Sequence, residues 1–159
     1  MANINVTTIN QITTPAIVVD LPKLKRNIAR MQGMVSGYGR YLRPHVKTHK
    51  CSEVAKLQMQ AGAIGVTCAT IGEAEAMASA GIRDILIANQ LVTAEKLERV
   101  IRLLDVADVK FVLDSDFGIE IASHVAGKYN KTFEVLVEVD TGGRRCGSQS
   151  PHQTVELVE

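Results

Sequence analysis

Short apolar runs alternate with amphipathic segments along most of the chain. Residues with the composition of strands occupy 41–47, 64–70, 84–89, 109–115 and 133–140. Apolar residues at helical spacing follow over residues 52–61, 72–80, 93–104 and 117–129, and a last helix is predicted to begin near Pro151. A strand over residues 16–20 and a helix over residues 21–34 come before this repeat. The pattern predicts a series of βα units.

Strands separated by helices of this length must run parallel, because a tight hairpin cannot reach a parallel neighbour. The predicted class is α/β, and the pattern alone leaves open an open sheet or a closed (β/α)8 barrel. No G-x-G-x-x-G follows the first strand, which disfavours a dinucleotide-binding sheet. Five units are visible where a barrel needs eight, so we expect an incomplete barrel.

Composition narrows the class of partner. The 159 residues are 46% hydrophobic and 22% charged, which is typical of a globular domain. A formal net charge of +1 gives no field that would gather nucleic acid or an anionic membrane, so neither is predicted as a partner. The chain has neither a membrane-length apolar run nor a signal peptide pattern at its start, and we expect a cytoplasmic protein with three reduced cysteines.

The most informative segment is YLRPHVKTHK, residues 41–50. Period-two alternation along a strand over residues 41–47 places Arg43, His45 and Lys47 on one face, toward the barrel interior. Positive neighbours and partial desolvation favour the neutral lysine amine that Schiff-base chemistry requires. The alternative is a group of solvated cations at a helix start. His45 and His49 have the spacing of a zinc pair, but no third ligand is apparent, so no metal site is predicted in this chain.

The fifth strand carries carboxylates on the opposing face. Its alternation directs Glu134, Leu136, Glu138 and Asp140 inward, although a polar edge strand gives the same pattern. The strand runs into TGGRRCG, where glycines allow a sharp turn and an arginine can bind an anion, or where the chain simply turns. Active sites of (β/α)8 enzymes lie at the carboxyl ends of the strands. The candidates at that end are Lys47, Thr70, Asn89, Asp114, Asp140 and Arg145. Thr70, Asn89 and Asp114 could equally be turn formers at the strand ends.

Several segments in order carry a resemblance to a known family: TPAIVVDL, RPHVKTHK, GVTCATIGEAEAMASAGI, DILIANQ and LVEVDTGGRRCG. Together they resemble the D-threonine aldolase and D-serine dehydratase family, whose barrel is related to the amino-terminal domain of alanine racemases. The resemblance implies an incomplete barrel domain over residues 21–159. It also implies that residues 1–20 include a strand of a separate β domain.

The resemblance also implies a cofactor and a reaction. Lys47 would bind pyridoxal 5'-phosphate covalently, Arg145 would contact its phenolic oxygen, and His45 belongs to the expected cofactor-binding set. Arg43, Thr70, Asn89 and Asp140 are expected nearer the substrate, a small D-amino acid.

The reaction expected by resemblance is aldolase cleavage of a D-3-hydroxy amino acid, by a homodimer whose divalent metal is bound outside this chain. D-serine dehydratase, an amino-acid racemase and a non-catalytic pyridoxal-phosphate-binding fragment stay open as alternatives.

Overall fold

The structure is a computed structural model that describes residues 8–159, and its helices and strands alternate as predicted. The strands are β1 (Val66–Cys68), β2 (Asp84–Gln90), β3 (Asp108–Leu113) and β4 (Glu134–Val137). The helices are α1 (Leu21–Gly37), α2 (Ser52–Gln60), α3 (Ile71–Ser79), α4 (Ala94–Leu103), α5 (Asp116–Tyr129) and α6 (Pro151–Val158), with short 3-10 helices at Ile9–Gln11 and Val46–Thr48. No helix within residues 8–159 has the length and apolar character that crossing a membrane requires.

The four strands form one parallel sheet in the order β1-β2-β3-β4, which is also their order in the chain. Each connection between neighbouring strands contains one helix, as parallel pairing demands. Residues 41–45, here called the edge segment, continue the sheet beyond β1. The N–H groups of Ile64 and Thr67 donate to the carbonyls of Leu42 and Pro44, at 3.0 and 2.8 Å.

One strand prediction is wrong. The run predicted over residues 41–47 makes one parallel bridge, His45 with Thr67, and then turns into the Val46–Thr48 helix, so Lys47 is not in a strand. The turn follows because Val46 is fully buried while the His45 ring accepts the Lys47 backbone N–H at 3.3 Å. Residues 16–20 pair with no strand among residues 8–159, and Ile17 is 96% exposed. Their place in a separate β domain stays a prediction.

The hydrophobic core lies between one face of the sheet and the helices that cover it. Alternate strand residues point to this face, and helices α3 to α5 supply the other half of the core. Fully buried members include Val66, Ile85, Ile87, Val109 and Phe111 of the strands and Leu97 and Val100 of α4. The Phe111 ring meets Phe133 edge to face, with 5.3 Å between centroids.

The opposite face carries a charged layer near the amino ends of the strands, here called the basal ion network: Arg43, Asp84, Lys110 and Glu134. The Arg43 guanidinium donates to both Asp84 carboxylate oxygens, at 2.7 and 3.1 Å. Lys110 Nζ lies 3.7 Å from Asp84 and 3.6 Å from Glu134. Burial would raise the pKa of Asp84, but the hydrogen bonds and charges of Arg43 and Lys110 together outweigh it and hold that pKa below its usual value.

The basal ion network depends on Gly65, where there is no room for a side chain. A Cβ built on Gly65 would meet the Arg43 guanidinium and would lie 2.6 Å from the Asp84 carbonyl oxygen. We expect Gly65→Ala to separate Arg43 from Asp84 and to lower the free energy of unfolding by about 1–3 kcal/mol. Urea unfolding followed by circular dichroism measures the change.

Gly33→Ala is the matched control for this substitution. Gly33 is exposed inside α1, and a Cβ there meets nothing within 4 Å. Alanine at this position is expected to raise stability by about 0.5–1 kcal/mol, because it restricts the unfolded chain. Equal unfolding midpoints for the two variants would contradict the role given to Gly65.

Candidate active site

Lys47 follows the carboxyl end of the edge segment and is exposed. Among residues 8–159 its amine makes no hydrogen bond and no ion pair. Lys50, the second lysine of the same motif, lies 3.6 Å from the Glu73 carboxylate. The free amine of this turn is therefore that of Lys47.

His45 lies two residues before Lys47 and is joined to it by a hydrogen bond. Burial, together with the positive charge of Lys47, lowers the pKa of the His45 imidazole below its ordinary value. The ring is therefore neutral at pH 7, and its Nδ1 accepts the backbone N–H of Lys47. This bond fixes the turn from which the lysine side chain extends.

Arg43 is not brought to Lys47. Its guanidinium is held by Asp84, the first residue of β2, at the amino end of the sheet, whereas Lys47 follows the carboxyl end of its segment. The cluster of three cations expected around one amine is therefore absent from the described residues. Only His45 of the other two lies beside Lys47.

Thr70 and Asn89 both lie at strand ends and both stabilise local structure there. Thr70 is the N-cap of α3, and its hydroxyl accepts the Glu73 N–H at 3.2 Å. The Asn89 side-chain amide donates to the Ala69 carbonyl at 3.0 Å, which joins the ends of β1 and β2. A contact of either residue with substrate stays a prediction.

Arg145 lies in residues 140–148, here called the arginine loop. The two ends of the loop are joined by backbone hydrogen bonds. The Asp140 N–H donates to the Ser148 carbonyl at 2.9 Å, and the Ser148 N–H donates to the Glu138 carbonyl at 2.8 Å. The Asp140 carboxylate turns into the loop and accepts the N–H groups of Gly142 and Arg144, at 2.8 and 3.1 Å. These bonds lower the pKa of Asp140. Arg145 is exposed and has no hydrogen bond or ion pair within residues 8–159.

A second polar layer lies at the carboxyl ends of the strands, and the sequence prediction found only part of it. Gln90 Nε2 donates to Asp114 Oδ2 at 3.0 Å and to Glu138 Oε2 at 2.5 Å. Gln90 was missed because β2 was predicted to end at Asn89. Gln90 pairs with Val112 across an irregularity in the register between Ile87 and Gln90, so regular alternation along the strand did not reveal its position.

The arrangement defines a class of protein: a parallel α/β sheet in which a lysine and an arginine follow strand ends and have no hydrogen bond or ion pair from their side chains among residues 8–159. The model of the alanine racemase N-terminal domain matches residues 19–159. The chain belongs to this family. The predicted family relationship is confirmed, and so is the fold, α/β with part of a (β/α)8 barrel.

Two of the relatives that the chain matches carry the names of lyases, an aldolase and a dehydratase. The chain is 40% identical over 141 residues to a D-threo-3-hydroxyaspartate dehydratase of Delftia sp., covering 88% of this chain and 37% of that protein. It is 36% identical over 152 residues to a 3-hydroxy-D-aspartate aldolase of Paracoccus denitrificans, covering 94% of this chain and 39% of the other.

A solved structure gives the same result for the fold. The D-threonine aldolase of Filomicrobium marinum superposes with a TM-score of 0.88 and 38% identity, covering 91% of this chain and 39% of that one. The chain therefore spans well under half the length of the relatives it matches.

Gly147 closes the arginine loop at a position where a side chain does not fit. Its φ is +97°, and a Cβ there would lie 2.6 Å from the Asp140 nitrogen and 2.7 Å from the Val139 carbonyl carbon. We expect Gly147→Ala to open the loop and to raise amide hydrogen exchange over residues 140–148 about tenfold or more.

Gly142→Ala is the control for Gly147→Ala, because it introduces the backbone strain without the steric clash. Gly142 also has a positive φ, +111°, but a Cβ there meets nothing within 4 Å. Its substitution is expected to change exchange far less than Gly147→Ala. Similar exchange in the two variants would show that close packing at Gly147 does not hold the loop.

Proposed function

We propose that the complete protein containing this chain is a pyridoxal-phosphate-dependent lyase acting on D-3-hydroxy amino acids, and that it works as a D-threonine aldolase does. The observation that carries the proposal is the free, exposed amine of Lys47 beside a neutral His45 at the carboxyl end of the sheet. It occurs in a chain 36–40% identical to an aldolase and a dehydratase of 3-hydroxyaspartate.

The residues present fit the cofactor. Pyridoxal phosphate offers an aldehyde for an amine and a phenolic oxygen for a cation, and Lys47 and Arg145 are an amine and a guanidinium without partners among residues 8–159. The edge segment and β4 are separated by four strand steps. Four steps are half the circumference of an eight-stranded barrel, so the two side chains would approach a ligand from opposite sides.

Each residue has a separate task in this mechanism. Lys47 Nζ would hold the cofactor through its aldehyde group. Arg145 would donate hydrogen bonds to the phenolic oxygen, and His45 holds the turn that carries Lys47. When bound, the cofactor would supply an electron sink for the electron pair released at the substrate Cα.

The bond that breaks defines the reaction. In aldol cleavage the Cα–Cβ bond breaks, the β-hydroxyl loses its proton as the aldehyde forms, and Cα takes a proton to give glycine. In the dehydratase alternative Cα loses its proton, the β-hydroxyl takes up a proton and leaves as water, and hydrolysis of the unsaturated product gives a 2-oxo acid and ammonia. Since the relatives include both an aldolase and a dehydratase, the matched segment fits both reactions.

Thr70, Asn89 and Asp140 remain candidates for the substrate side of the site, because they lie at the same end of the sheet as Lys47. The proposal gives Arg43 a structural task, since Asp84 holds it at the other end. The proposed enzyme is a cytoplasmic homodimer with a divalent metal whose ligands lie outside this chain. Within residues 8–159 no group of three or more His, Cys, Asp or Glu is arranged to hold a metal ion.

Covalent labelling tests the lysine. The complete protein is loaded with pyridoxal phosphate, reduced with borohydride and digested, and the peptides are mapped by mass. We expect the cofactor mass on Lys47, since this amine has no partner among residues 8–159. Lys50→Ala is the matched control and should keep the label, whereas Lys47→Ala should lose it. A label on Lys50, or on neither residue, would refute the proposal.

Product analysis tests the reaction. The complete protein is assayed with D-threonine, D-serine and 3-hydroxy-D-aspartate, and aldehyde, glycine, ammonia and 2-oxo acid are measured. Aldehyde and glycine in equal amounts without ammonia are expected for an aldolase. Ammonia with a 2-oxo acid would identify a dehydratase, and inversion at Cα with all carbon retained would identify a racemase.

A further inference from the structure

Three side chains at the carboxyl ends of successive strands form one hydrogen-bonded group, here called the amide bridge: Gln90, Asp114 and Glu138. Gln90 is the last residue of β2, while Asp114 and Glu138 directly follow β3 and β4. The single nitrogen of the Gln90 side chain donates to Asp114 at 3.0 Å and to Glu138 at 2.5 Å. One amide therefore links three neighbouring strands.

Both carboxylates of the amide bridge also hold the arginine loop. Asp114 Oδ2 accepts the Gly147 N–H at 2.9 Å, and Glu138 Oε1 accepts the Cys146 thiol at 3.3 Å. The bond to Glu138 raises the pKa of Cys146 and so keeps the thiol proton that makes the bond. The two residues that follow Arg145 are thus fixed by the two carboxylates that Gln90 holds.

The amide bridge holds two carboxylates close together without a lysine or arginine partner among residues 8–159. Two carboxylates that approach the same atom repel each other, and no Lys or Arg of residues 8–159 forms an ion pair with Asp114 or Glu138. An amide nitrogen carries two hydrogens and can serve both acceptors at once without adding charge. A carboxylate in its place would add a third negative charge, and a methyl-ended side chain would remove the hydrogen bonds that join the two carboxylates.

We infer that Gln90 is a positioning residue for Arg145: by holding Asp114 and Glu138 together, it fixes the arginine loop and directs the Arg145 guanidinium at the cofactor. The cofactor part of this inference rests on the proposed function. The loop part does not, because it concerns hydrogen bonds within this chain alone.

Two substitutions remove the bridge in different ways. Gln90→Met keeps the length of the side chain and removes both donors without adding charge. Gln90→Glu keeps the shape, removes the donors when ionised and adds a charge. Gln60→Glu makes the same change of charge at the exposed end of α2, away from the bridge, and is the control.

The first measurement is amide hydrogen exchange over residues 140–148 in the complete protein without cofactor. We expect about tenfold faster exchange in both Gln90 variants, the equivalent of losing one hydrogen bond to a charged acceptor. Exchange in β1 to β3 should be unchanged, since the hydrophobic core lies on the other face. Wild-type exchange in Gln90→Met would overturn the inference, even if Gln90→Glu were faster, because added charge alone would then be the cause.

The second measurement is the dissociation constant of pyridoxal phosphate, in the wild type and in an Arg145→Met background. Gln90→Met should weaken binding several-fold in the wild type and should have little further effect when Arg145 is absent. Equal effects in both backgrounds would show that Gln90 does not act through Arg145.

The outcomes distinguish this inference from the proposed function. If the wild-type protein does not bind pyridoxal phosphate, the proposed function fails, and the inferred direction of Arg145 at the cofactor fails with it, while the exchange data still decide whether Gln90 holds the loop. If the cofactor binds and the loop loosens in Gln90→Met without any change in the dissociation constant, the positioning role fails and the proposed function stands.

Discussion

Parallel pairing of the strands is the constraint on which the rest of this structure depends. Because all strands run in one direction, the residues that follow them meet at one edge of the sheet. That edge carries Lys47 at one side, Arg145 at the other and the amide bridge between them. Residues far apart in the chain become neighbours only through this pairing.

Period-two alternation then divides the sheet into two faces with different tasks. One face packs on the helices and supplies the core, with Ile85, Val109 and Phe111 fully buried. The other face carries charge near the amino ends, apolar residues in the middle, and polar residues at the carboxyl ends. The basal ion network pairs charges of opposite sign, whereas the amide bridge joins two carboxylates through one neutral amide.

Some of the lysine and arginine side chains near the sheet form ion pairs with carboxylates, and others do not. The proposed chemistry uses two that do not. Arg43 and Lys110 are held in the basal ion network, and Lys50 lies near Glu73. Lys47 and Arg145 have no such partner among residues 8–159, and both follow strand positions at the same end. A free amine and a free guanidinium at one end of a barrel match a ligand with an aldehyde and an anionic oxygen.

The sequence by itself determined the order of elements, the parallel α/β class and the lysine and arginine motifs, because these depend on local periodicity and residue type. It misjudged residues 41–47, where burial of Val46 and the His45 bond turn the chain after a single bridge. It also grouped Arg43 with Lys47, since alternation reveals a face but not which partner a charge finds. Only the tertiary structure placed Asp84 against Arg43 and Gln90 between two carboxylates, because those contacts join residues 24 to 48 positions apart in the chain.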